Sequence, residues 1–149
     1  MATMHKTIFI ATNPAHVWDA VRDVGALHTR LVPGFVIDTR VDAREEVRQV
    51  TFADGTVVRE PILSIDDERR RLAWTAEGIP ATHYNAVLTV EPDNSGTRVT
   101  WTTDFLPSEE HQALASMQDA ALSAMKNALE KPIEEPAAAA PVNGAEARA

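Results

Sequence analysis

The order of local patterns along this chain leaves few folds open to it. His5 to Ile10 is a short run rich in β-branched and aromatic residues and reads as a strand. It leads into Ala11-Thr12-Asn13-Pro14. Asn is a good N-cap, and Pro suits the first helical position, where no amide hydrogen is needed. Val17, Trp18 and Val21 recur at helical spacing, which predicts a short helix ending near Asp23 to Gly25. Ala26 to Val32 predicts a second short helix, stopped by Pro33-Gly34. Six strand-like segments then run from about Phe35 to Phe105, and a long amphipathic helix near Ser108 to Glu130 closes the series. This order predicts an α+β fold, a curved antiparallel sheet with the closing helix across its concave side. Such an architecture usually encloses a cavity.

The strand region shows a period near two. Phe35 to Val41 and Glu46 to Ala53 read as strands joined across Asp42–Glu45, and Asp54-Gly55 is a strong two-residue hairpin signal. Thr56 to Ile65 continues as a strand containing Pro61, which requires either an edge position or a bulge. Asp66 to Arg69 is a polar turn; Leu72, Trp74 and Ala76 mark the next strand; Gly78-Ile79-Pro80-Ala81 breaks it. Tyr84, Ala86, Leu88 and Val90 alternate with polar or outward positions, as do Val99, Trp101, Thr103 and Phe105 beyond the Pro92–Gly96 turn. Ser108 is the expected N-cap of the closing helix, with Glu109 and Glu110 suited to its positive end. Leu114, Met117, Ala121, Met125 and Ala128 form its inner stripe, widened by Leu122 and Leu129. Pro132 ends it, and the Ala/Pro/Glu-rich stretch 132–149 is expected to be a disordered tail after a domain spanning 1–131.

Composition narrows function mainly by exclusion. The chain has 149 residues, enough for one domain with a sizeable core. A formal net charge of -8 argues against nonspecific nucleic-acid binding and against anionic membrane surfaces. Without cysteine there is no disulfide, thiolate nucleophile or Cys-based metal site. The five histidines lie at His5, His16, His28, His83 and His111, with no metal-ligand spacing, so neither a metal nor a cofactor is expected. No G-x-S-x-G or P-loop pattern occurs. No stretch is apolar enough to span a bilayer and no export signal is visible, so a soluble cytoplasmic protein, monomeric or homodimeric, is expected.

Successive hairpins put their turns at alternating ends of the sheet. One end collects Asp42–Glu45, Asp66–Arg69 and Pro92–Gly96, all polar. The other carries Ile79, Pro80, Leu106 and Pro107, which either rim a cavity mouth or pack on one another. The helix stripe is Met and Ala rather than filled with large aliphatics. Small residues leave space and Met adapts to irregular shapes; an ordinary packed core is the alternative.

Ala11-Thr12-Asn13-Pro14 with Val17-Trp18, Val21 and Asp23 resembles the opening A-x-x-P-x-x-V-W-x-x-x-x-D pattern of START-like polyketide cyclase/dehydrase proteins, the SRPBCC superfamily. Gly96-Thr97-Arg98-Val99-Thr100-Trp101 resembles its penultimate element, and Arg59-Glu60 through Ile65-Asp66-Asp67 a central strand of its bacterial members. The resemblance covers about residues 3 to 130. It implies a helix-grip fold: a seven-stranded antiparallel sheet wrapping the C-terminal helix around an apolar cavity. Members bind lipids, sterols, polyketides or plant hormones, and a minority are enzymes or assist chaperones. No catalytic residue is carried over, since the matching motifs are structural.

Several side chains are candidates to line such a cavity. Glu60 either faces inward, as an acid, base or ligand anchor, or is an exposed cross-strand partner of an arginine. Tyr84, the only tyrosine, shares a face with Leu88 and Val90, so its hydroxyl needs an interior partner, protein or ligand. Trp74 and Trp101 sit at inward parity; His83 lies beside the apolar loop; Met117, Ala121 and Met125 belong to the helix stripe. Ile79, Pro80 and Leu106 are the mouth candidates. The leading expectation is a binder of a small hydrophobic ligand of lipid, polyketide or aromatic type. The alternatives are a cyclase, dehydratase or hydrolase using Glu60, His83 or Tyr84 for proton transfer, and a protein-interaction or co-chaperone-like module.

Overall fold

The computed structural model describes residues 1–132, so the expected tail lies, apart from Pro132, outside the described residues. Strand β1 (Ala2–Ile10) is followed by helix α1 (Pro14–Arg22) and a π-helical turn at Leu27–Leu31. Then come β2 (Val36–Asp42), β3 (Val47–Phe52), β4 (Val57–Asp66), β5 (Arg71–Thr75), β6 (His83–Asp93) and β7 (Gly96–Leu106). A single 3-10 turn, Ser108–Glu110, leads into the closing helix α2 (His111–Leu129). All seven strands form one antiparallel sheet in the order β1-β7-β6-β5-β4-β3-β2. The seven-stranded sheet gripping a long C-terminal helix is the helix-grip architecture expected from the segment order.

Local chemistry explains the boundaries. The Asn13 side chain accepts a 2.8 Å hydrogen bond from the His16 amide, and Pro14 starts α1. Gly55 holds φ 92 in the β3–β4 turn, a conformation that excludes most L side chains. One expectation is corrected, and one alternative is decided. Ser108 does not cap the closing helix: the 3-10 turn takes up Ser108–Glu110, and α2 begins at His111 without a side-chain cap. Pro61 is not at an edge, because β4 pairs with both β3 and β5. Pairing to β5 instead skips Pro61, running from the Arg59–Glu77 bridge to Ile62–Trp74, and the register shifts just beyond it, between Ile62 and Ser64.

The core lies between the concave face and α2. Period-two alternation sends Tyr84, Ala86, Leu88 and Val90 inward from β6, and Val99, Trp101, Thr103 and Phe105 inward from β7. Helix α2 presents Leu114, Gln118, Ala121, Leu122, Met125 and Leu129 to them, all buried. Gln118 thus belongs to the stripe, while Met117 and Ala128 are only half-buried. Trp18 is buried in the core and also donates its indole N–H to Asp67 at 2.9 Å. Among the described residues no helix is long and apolar enough to cross a membrane.

Candidate functional site

The sheet and helix do not close completely on each other. A cavity of about 430 Å³ opens between the concave face and the first half of α2. Its walls are mostly apolar: Phe35, Phe52, Val58, Ala76, Ile79, Pro80, Ala113, Leu114 and Met117 contribute, with Asp54 and Glu110 beside them. This is the end of the sheet that turn parity assigned to Ile79 and Pro80. A deeper space of about 70 Å³ lies under the π-helical turn, walled by Leu27, Leu31, Trp74, Trp101, Ala121 and Met125 among others. Phe35, Phe52, Glu60, Tyr84 and Met117 line both spaces, so the two meet at these side chains. The outer volume falls in the range of small-molecule sites, about 300–1,000 Å³.

A polar cluster interrupts the apolar wall. Arg48 of β3 and Glu60 of β4 are direct cross-strand partners. Arg48 Nε donates to Glu60 Oε1 at 2.7 Å, with side-chain exposures of only 3% and 12%. The Arg48 guanidinium carbon also lies 5.4 Å from the Trp74 ring centroid, a cation–π geometry, and Trp74 packs on Trp101 at 5.7 Å. Glu60 therefore faces inward; it does pair with an arginine across the strands, but not at an exposed position. Burial, and next the negative charge of Glu60, push the Tyr84 hydroxyl well above the usual phenol range; Gln118 and Thr103 beside it pull weakly the other way. Gln118 Nε2 donates to Thr103 Oγ1 at 2.7 Å. Two buried polar atoms have no partner among the described residues, Trp101 Nε1 and Gln118 Oε1.

The structure sorts the candidates as follows. Glu60, Tyr84 and Met117 stand where the two spaces meet; Trp74, Trp101, Ala121 and Met125 wall the inner one; Ile79 and Pro80 wall the outer one. His83 and Leu106 are corrections. They pair with each other across β6 and β7, and each precedes or follows an inward residue, Tyr84 or Phe105. Parity therefore turns both away from the interior; His83 is exposed, and neither lines a cavity. Sequence reading missed Arg48, although it shares parity with Val50 and Phe52. It also missed Gln118, which falls one turn beyond Leu114 on the buried face. Among the described residues no group of three or more His, Asp or Glu is placed to hold a metal ion.

Residues 1–134 match the family described as polyketide cyclase / dehydrase and lipid transport. The chain belongs to that family. No curated protein matches it. A solution structure from Thermobifida fusca shares 28% identity at a TM-score of 0.67, covering 87% of this chain and 91% of that one. The di-domain ARO/CYC BexL, from the BE-7585A biosynthetic pathway, superposes at TM-score 0.76 and 16% identity over 87% of this chain and 47% of its own. A START superfamily protein from Mycobacterium smegmatis superposes at 0.71 and 12% identity, over 86% and 97% of the two chains. The last two likenesses show the fold alone.

Proposed function

We propose that this protein binds a small, largely apolar ligand in the cavity between the sheet and α2. The observation that carries the reading is the cavity itself: about 430 Å³ with a predominantly apolar wall, continuing into an inner space past Glu60, Tyr84 and Met117. The ligand contacts proposed are those three residues with Trp74, Trp101, Ala121 and Met125, and Ile79 and Pro80 at the mouth. Family membership supports the reading, since the family's description includes lipid transport. The net charge of -8 supports a partner other than nucleic acid.

A cyclase or dehydratase is the second reading, favoured by Glu60 and Tyr84 lining the same cavity. The geometry supports it less well. Arg48 already occupies Glu60 Oε1, and a phenol pushed upward by burial is a poor proton donor at neutral pH. Native mass spectrometry of freshly purified protein tests the binding reading, followed by thermal shift with naphthalene-sized aromatics. A co-purified small molecule, or stabilisation that saturates with added ligand, is expected. A bare chain that no probe stabilises would sink the proposal.

A further inference from the structure

Strand β2 ends the sheet, and its outer edge is open over a short, defined stretch. In an antiparallel ladder the backbone groups of successive residues point alternately to the two sides of the strand. Phe52 N donates to Thr56 O, and Ile62 N to Glu46 O, so Glu46, Arg48, Val50 and Phe52 turn theirs to β4. Gln49 and Thr51 therefore turn theirs to β2, where they meet Arg40 and Asp38. That leaves the N–H and C=O of Thr39 and Val41 pointing away from the sheet. Among the described residues, none of the backbone hydrogen bonds made outside the ladders uses them. The free edge starts at Ile37, because Val36 is bridged to Pro33 and donates to the Val32 carbonyl. Ile37, the extra residue where the register to β3 shifts, and Val41 are 54% and 48% exposed. Asp38 and Arg40 pair at 3.0 Å, with side-chain exposures of 41% and 78%.

We propose that this edge pairs with the same edge of a second copy, antiparallel about a twofold axis through Thr39, joining two sheets into one. The backbone phase sets Thr39 opposite itself in a hydrogen-bonded pair, and Val41 opposite Ile37. Only the Thr39 backbone is needed, since its hydroxyl stays on His28 at 3.0 Å. Asp38 then faces Arg40 of the second copy, and Arg40 faces Asp38, in the non-hydrogen-bonded pairs where opposed side chains stand closest. The charge pattern selects this occupant and this axis. An axis through Asp38 or Arg40 would set that charge against itself. Charges and a bulge on an edge turn foreign strands away, whereas a second copy carries the complementary charges in the required order. The opposite edge offers no such match. Strand β1 is centred on Lys6, which would meet itself, and Lys126 Nζ already occupies the Phe9 carbonyl at 2.6 Å. So short an edge falls below the roughly 1,200 Å² of a standard interface, so the dimer is weak and forms at high concentration.

Sedimentation equilibrium of the full chain from about 1 µM to about 1 mM, the span of weak association, tests the pairing. The average mass is expected to rise toward that of two chains, and solvent exchange of the Thr39 and Val41 amides to slow as it does. Asp38→Arg and Arg40→Asp each alter an exposed side chain and set like charges opposite one another twice. Each should weaken association about tenfold or more. Mixed together, the two variants should associate again, because each supplies the charges the other lacks. The double variant Asp38→Arg/Arg40→Asp should associate alone, and it decides if one single variant does not fold. A chain monomeric throughout would overturn the proposal and leave the edge to a strand of another protein. Association that neither variant weakens, or that neither the mixture nor the double variant restores, would overturn it by placing the contact elsewhere.

Discussion

Arg48 and Glu60 are the residues whose chemistry is least ordinary for their surroundings. A charged pair with 3% and 12% side-chain exposure loses most of its hydration and recovers it only through mutual contact. Removing one partner leaves the other buried and uncompensated. Arg48→Met alone is expected to lower the unfolding free energy by about 3–5 kcal/mol. Arg48→Met with Glu60→Leu should recover most of that loss, because neither charge then remains. Denaturant unfolding of both single variants and the double variant gives the coupling directly. Near-additive losses would show that the pair is not coupled as the structure has it. The pair also marks the limit of reading from sequence at this scale. Glu60 stands out as an acid in an apolar strand, whereas nothing in the β3 pattern sets Arg48 apart. Their union depends on register between two strands, which no single strand's pattern specifies.

The strands and α1 were legible because their signals are local: alternation of period two, Asp54-Gly55, and the Asn13-Pro14 start. The beginning of α2 was not. Ser108 carries a good cap chemistry, yet the chain winds a tighter turn there and starts the α-helix at His111. The attachment of α1 to the sheet was equally hidden, because it joins residues far apart in sequence. Asp67, in the β4–β5 turn, accepts from Trp18 Nε1 at 2.9 Å and from Arg22 Nε at 2.7 Å. Hydrogen bonding from Arg22 and then from Trp18 holds the Asp67 carboxyl below its usual 3.8. A carboxyl lowered on folding stabilises the native state above its unfolded value, and that contribution disappears as pH falls through the lowered folded value. Asp67→Asn is therefore expected to lower Tm at pH 7, and the gap to the unaltered protein should narrow as the pH drops below the carboxylate range. A gap that stays constant across that range would mean that Asp67 acts through something other than its charge.

At the scale of the whole molecule, the cavity follows from an incomplete match between a curved sheet and a helix of small and flexible side chains. Met117 lines both spaces and is only half-buried. A tryptophan there would enter open volume rather than displace packed neighbours. Met117→Trp is thus expected to cost the unliganded protein less than the about 1–3 kcal/mol of overpacking a filled core. Ligand binding should suffer far more. A ligand at a hundred times its Kd stabilises the native state by about 2.7 kcal/mol. That increment, read as a rise in Tm with a naphthalene-sized aromatic, should vanish in Met117→Trp and persist in Met117→Leu, which keeps the volume. Equal stabilisation of the tryptophan variant would place the binding site outside this cavity. Loss in both variants would mean that the thioether itself, not the space beside it, holds the ligand.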